Sequence, residues 1–308
     1  MSVLSKTLKD AGFSDIFKEV EHTESLGLLN PTQLRIFHLA VSNNAFSFDA
    51  MHNFLLKNIG RYVFSRARID QFRLDDEEDV IGLKAVELLR KAALSADWIN
   101  EQLGDILLYA FLEQILEAPK IYSKVELLKN GNQGIKNGGG VHLLAPGDGI
   151  PSYQIVFGKS HIVDDIEDAI NNAFELINVL KKDEQNEMQL IENTILNYQI
   201  DKDTADFLKG IIIPSRNKGT TVDKSFGVFL GYKLGLDPAV YPRDEFLKQV
   251  TIKMQTDIKN HVAYIIKKIK DTGLESYSFY FYILPFNDAV AEKAHIMNAL
   301  LGGGEQHG

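Results

Sequence analysis

The hexapeptide Val156-Phe157-Gly158-Lys159-Ser160-His161 decides how the chain is read, through what stands on either side of it. Upstream, residues 97 to about 117 place Leu103, Ile106, Leu107, Ala110, Phe111 and Ile115 at helical spacing, with Ser95 as the expected N-cap. Ala118-Pro119 ends that helix, since proline has no N–H to continue it and disfavours helical backbone before it. Leu108 and Leu112 share a second face with Glu101 and Asp105, so the latter half of the helix is apolar nearly all round and predicts burial. Three strand-like segments follow, at 120–128, 141–144 and 153–163, the last two joined by the turn Ala145-Pro146-Gly147-Asp148-Gly149. An acid-fronted helix over 164–180 then turns Ile166, Ile170, Ala173, Phe174 and Ile177 inward. Helix, three strands, helix describes a compact α/β unit in which the segment around Gly158 opens at the edge of the sheet.

Working outward from this core, residues 1–93 predict a mainly helical region, and 94–215 the α/β core. Residues 216–301 complete the same domain, and 302–308 form a glycine-rich flexible tail. Leu34, Phe37, His38 and Val41 fall at helical spacing behind Leu29-Asn30-Pro31-Thr32, and 80–93 carries a further helical pattern. Arg61, Arg66 and Arg68 interleave with apolar residues in a strand or a helix end. They are candidates for phosphate contacts or for ion pairs with the acidic run 75–79. A polar linker is expected at 181–187, a helix to about 197, a strand at 210–214 and a long helix at 244–270. That long helix turns Lys253, Lys259, Lys267, Lys268 and Lys270 outward, and an aromatic strand over 278–284 is closed by Pro285.

Composition bounds the function. With 308 residues, 45% of them hydrophobic and 24% charged, the chain suits one large or two modest globular domains. It has no cysteine, which excludes disulfides and thiolate metal sites. No apolar run reaches the ~18 residues of a membrane span, and the first residues lack the apolar core of a signal peptide, so a cytoplasmic location is expected with no membrane partner. A net charge of −9 argues against nucleic-acid binding over the whole surface. Locally the sign reverses: between 118 and 162, Lys120, Lys124, Lys129, Lys136 and Lys159 face only Glu126 and Asp148. Such a window either marks a phosphate-facing surface or guards the strand edges.

Several ordered segments resemble one family. Leu-Gly-Asp-Ile-Leu-Leu-Tyr-Ala-Phe-Leu-Glu (103–113), Ala-Pro-Lys-Ile-Tyr-Ser-Lys (118–124), Gly-Val-His-Leu-Leu (140–144) and Ile-Val-Phe-Gly-Lys-Ser-His (155–161) are similar to HamA. So are Ile-Ile-Pro (212–214), Gly-Val-Phe-Leu-Gly-Tyr (227–232) and Leu-Pro-Phe (284–286). The resemblance spans roughly 60–290 and implies a subunit of the Hachiman antiphage defence system that partners a HamB-type superfamily 2 helicase on DNA. It further implies an α/β (α+β) PD-(D/E)xK nuclease-like core, a mixed sheet with helical N-terminal and C-terminal additions. Such nucleases hold Mg²⁺ on carboxylates and orient water with a lysine.

At the positions that match the family's first acid and its Glu-x-Lys stand Gly139, Lys159 and His161. Under the resemblance, Lys124, Lys136 and Lys159 would bind phosphate, and Lys159, His161 and Glu101 would be the candidate catalytic residues. Glu101 and Asp105 would hold Mg²⁺ if the centre cuts. Three readings remain open: a DNA-binding subunit that is weakly active or inactive in cleavage, a nuclease with a rearranged centre in which His161 or His142 is the base, and a scaffold that regulates the helicase. In the second, Asp148 or Asp164 could substitute for a lost acid, although a turn residue and a helix N-cap are the plainer roles. In the third, the basic helix and the aromatic strand would be partner surface.

Overall fold

The computed structural model describes residues 4–92, 96–122, 125, 140–197, 202–212 and 222–302. Its centre is the strand that carries the hexapeptide, β7 (Tyr153–Ile162), which lies inside a seven-stranded mixed sheet. The chain order is α1 (Phe13–Ile16), β1 (Lys18–Val20), β2 (Thr32–His38), a small β3/β4 pair (Val41–Ser42, Ala45–Phe46), α2 (Asp49–Val63), α3 (Arg66–Leu74) and α4 (Ile81–Ala92). Then come α5 (Ala96–Gln114), β5 (Lys120–Tyr122), β6 (Val141–Leu144), β7, α6 (Ile166–Lys182), α7 (Glu184–Asn197) and α8 (Lys202–Ile212). β8 (Val222–Lys233), α9 (Arg243–Asp271), β9 (Ser278–Phe286) and α10 (Ala289–Leu300) follow. The expected helix–strand–strand–strand–helix order is realised as α5, β5, β6, β7 and α6.

The sheet order is β1-β2-β9-β8-β7-β6-β5. The inner four strands, β2, β9, β8 and β7, run parallel, while β1 at one side and β6 and β5 at the other pair antiparallel. Parallel strands need both faces covered. Side-chain alternation shows the two layers: Tyr282 and Phe229 meet Phe111 of α5, whereas Phe279 and Phe281 meet Phe174 of α6. α5 fits closely against its face because the sheet offers glycines under its leucines. A Cβ on Gly158 would lie 3.0 Å from Leu108, and one on Gly227 2.7 Å from Leu112.

Several local expectations need correction. Residues 32–38 form a strand, not a helix; Ile36, Phe37 and His38 are consecutively buried between β1 and β9, a pattern that short apolar runs share with helices. Of the strand expected over 120–128, Lys120–Tyr122 is strand and Val125 is helical; the other positions lie outside the described residues. Gly210, Ile211 and Ile212 end helix α8, where Ala205 and Leu208 supply a buried helical stripe that outweighs the β propensity of the isoleucines. The polar linker shrinks to Asp183 between α6 and α7. β9 continues through Pro285, tolerated because pairing with β2 has already stopped at Ile283. All nine residues of β9 are buried, so it is not the partner surface the scaffold reading would need.

The arginines also depart from expectation. Arg66 donates to the carbonyls of Lys120 and Ser5, and Arg68 lies over the Phe72 ring. The acidic run is met instead by Arg73, on Glu78, and by Lys84, on Glu77.

Candidate functional site

α5 runs antiparallel to β7, so its N-terminal half lies over the C-terminal end of the strand. Gly104 stands directly on Ser160, and the Ser160 hydroxyl donates to Asp105 Oδ1 at 2.6 Å. One turn earlier, Glu101 is reached from two sides. Lys293 Nζ of α10 lies 2.6 Å from Oε1, and His161 Nδ1 lies 3.8 Å from Oε2. The Asn172 amide of α6 donates to His161 Nε2 at 3.1 Å. Burial lowers the His161 pKa, and the Glu101 carboxylate partly opposes that shift. Glu101, Asp105 and His161 therefore gather at one end of β7.

Lys159 does not join them in the same way. It shares a strand face with His161, opposite to Ser160, and is wholly buried at 0% exposure. A phosphate from solvent has no access to its ammonium in this arrangement. Lys120, another member of the basic window, is also buried. Its Nζ donates to the carbonyls of Arg61, Tyr62 and Phe64 at 2.5, 3.0 and 2.9 Å, closing the C-terminal end of α2. Two of the five lysines thus serve the interior. Lys124, Lys129, Lys136 and Gly139 lie outside the described residues, as does Ser95.

Other candidates have structural work. Asp148 is exposed in the β6–β7 turn. Asp164 Oδ1 accepts from the Ala289 and Val290 amides and caps α10, while Asp165 is the N-cap of α6. His38 is packed, with Nδ1 2.7 Å from the Leu39 carbonyl. His142 is fully buried beside Tyr109, its Nδ1 donating to the Ala118 carbonyl at 2.8 Å, and burial pushes its pKa down to about 4.

The His142 shift has a measurable consequence. In the fold the ring stays neutral, whereas unfolded histidine takes up its proton near 6.5, so the unfolded state binds more protons between those values. Stability contributed at neutral pH is therefore lost as pH falls from about 6.5 towards 4, by about 3 kcal/mol at most. Denaturant unfolding at pH 7 and pH 4.5 should show wild type losing more stability than His142→Asn, which keeps a donor for the Ala118 carbonyl. Equal losses would refute the assignment.

Mg²⁺ prefers about six oxygen ligands in near-octahedral order. Among the described residues no three His, Asp or Glu side chains are grouped to hold an ion. Of the two candidate acids, Glu101 already faces an ammonium and Asp105 a hydroxyl. The described donor set does not fit Mg²⁺.

The sequence reading missed Lys293, Ser160 and Asn172 as neighbours of this cluster. A signal for α10 existed: Asp288 caps it through the Ala291 amide, and Glu292 accepts back from the Asn287 and Asp288 amides. Nothing local says that Lys293 meets a glutamate 192 positions away.

Fold and cluster together define a mixed α/β protein with an acid–histidine–lysine cluster where its first sheet-covering helix meets a central strand. The HamA family model matches residues 14–300, and the chain belongs to that family, as a Hachiman-type defence subunit. No curated protein and no solved structure matches it. No helix among the described residues is long and apolar enough to cross a membrane.

Proposed function

We propose that this HamA chain works on DNA with a HamB-type helicase, through a PD-(D/E)xK-like core that does not itself cut. The observation that carries this reading is the charge at the centre: the position of the family's strand acid holds the buried Lys159, and Glu101 is already ion-paired to Lys293. Hydrolysis of a phosphodiester by this chemistry needs carboxylates free to hold a metal. The α5–β5–β6–β7–α6 order supports the core assignment.

With Lys120 and Lys159 buried, the DNA surface is assigned to α9. From 247 to 270 the only acid of this helix, Asp257, is buried against Tyr232 and Lys253. Lys259, Lys267 and Lys270 are exposed on one side of it, beside Thr256 and Ile252. Between 247 and 270 the helix itself presents no exposed acid, although Glu21 and Glu24 border the Ile252–Lys259 end of the stripe, and such a basic row in a chain of net charge −9 suits a phosphate backbone. Lys259→Glu/Lys267→Glu/Lys270→Glu should weaken DNA binding by at least ~10-fold at low salt and flatten its salt dependence. Unchanged affinity and slope would remove this surface from the proposal.

The decisive assay is plasmid and linear DNA with Mg²⁺ or Mn²⁺, with and without helicase and ATP, comparing wild type with Glu101→Ala/Asp105→Ala. DNA bound but uncut in every lane is the expected result. Metal-dependent cutting lost in the double variant would establish the second reading, a rearranged nuclease, which the 3.8 Å approach of His161 to Glu101 favours. Helicase binding without DNA affinity would leave a regulatory scaffold.

A further inference from the structure

At the Glu101 end of the cluster the Lys293 ammonium is held by oxygens from two different elements. Lys293 Nζ lies 2.6 Å from Glu101 Oε1 on α5 and 2.9 Å from the Ile162 carbonyl oxygen at the end of β7. Two oxygens from different elements, one a carboxylate and one a backbone carbonyl, therefore converge on one point. That is the kind of oxygen pairing a hard divalent ion would take. The ammonium that fills the point is not a loose surface group: Lys293 is only 8% exposed. Its helix is fixed at the N-terminal end by Asp164, on the Ala289 amide at 2.8 Å, and by Asp288, on the Ala291 amide at 3.0 Å. A second cation arriving there would meet a positive charge at contact distance, with too few oxygens left to replace its water.

We infer that Lys293 is the resident cation of this site, standing where the Glu101 carboxylate and the Ile162 carbonyl would otherwise receive a divalent metal ion, so that the protein carries a site filled from its own C-terminal helix. Two roles follow. The lysine neutralises Glu101 without metal, and it ties α10 to the junction of α5 and β7. Removing the charge while keeping the side-chain volume should convert the same oxygens into a weak metal site.

The test is Mn²⁺ binding to the full chain, read as loss of the free-ion EPR signal and competed with Mg²⁺. Wild type and Lys293→Arg, which both keep the cation, should bind no ion at this site. Lys293→Met should bind one Mn²⁺ with an affinity at least ~10-fold above any background binding by wild type, displaced by Mg²⁺, and Glu101→Gln in that background should abolish the binding. Mn²⁺ binding by wild type that Glu101→Gln removes would overturn the inference, as would a folded Lys293→Met protein with no Mn²⁺ site. If Lys293→Met does not fold, Lys293→Gln, which retains a donor for the Ile162 carbonyl, carries the same two outcomes. These readouts need neither DNA nor helicase, so they stand or fall separately from the cleavage assay.

Discussion

Replacing Glu113 by glutamine is expected to cost about 3 kcal/mol or more of unfolding free energy, although the change is isosteric. Glu113 has no exposed surface, and four donors converge on its two oxygens. The Thr7 and Leu8 amides approach Oε2, both at 2.6 Å. The Thr7 hydroxyl, at 2.7 Å, and the Lys120 amide, at 2.9 Å, approach Oε1. An amide side chain must turn its NH₂ towards one of those pairs, setting donor against donor where no water can intervene. The loss falls on a junction, because Lys120 also closes the C-terminal end of α2 and Arg66 ties the Lys120 and Ser5 carbonyls together. Urea unfolding of wild type and Glu113→Gln should show the midpoint shift. A difference below about 1 kcal/mol would mean that the N-terminal segment is not held in this way.

Gly104→Ala should destabilise by about 1–3 kcal/mol, and Ser160→Gly in the same chain should restore most of it. A methyl at 104 would stand 2.6 Å from Ser160 Oγ and 2.9 Å from its Cβ, closer than atoms can pack. Either α5 lifts from β7 or the serine hydroxyl leaves Asp105, and both disturb the cluster. The rescue separates crowding from any intrinsic effect of alanine, which by itself favours a helix interior. A Gly104→Ala protein as stable as wild type would contradict the close packing of α5 on β7.

What the sequence disclosed and what it hid divide along the range of the interactions. α5, the β6–β7 hairpin, α6 and α9 were all legible, because apolar period, Pro119 and the Pro146-Gly147 turn act within a few residues. β2 was misread because Leu34, Ile36 and Phe37 are too short a run to separate strand from helix, and what decides is β9, far along the chain. The end of α8 reads as strand from its sequence because Ile211 and Ile212 carry β propensity, which the buried stripe of Ala205 and Leu208 overrules. Composition registers the charge of Lys120 and Lys159 but not their burial, which only the assembled sheet reveals. The site showed the same split: Glu101, Asp105 and His161 were named from the sequence, but their partners Lys293, Ser160 and Asn172 come from three different elements.

The parallel pairing of β2 with β9 has a consequence during synthesis. Thr32 is matched to Phe279 and Ile36 to Ile283, so the second strand made waits for the last one. At 5–20 residues per second the ribosome needs roughly 12–50 s to travel between them. Throughout that interval Ile36 and Phe37 have no sheet to join on that side, and β1, which pairs with β2 at the sheet's edge among the described residues, waits with them. A nascent chain stalled before β9 would carry an unpaired apolar edge open to chaperones, and the emergence of β9 would be the event that closes the sheet.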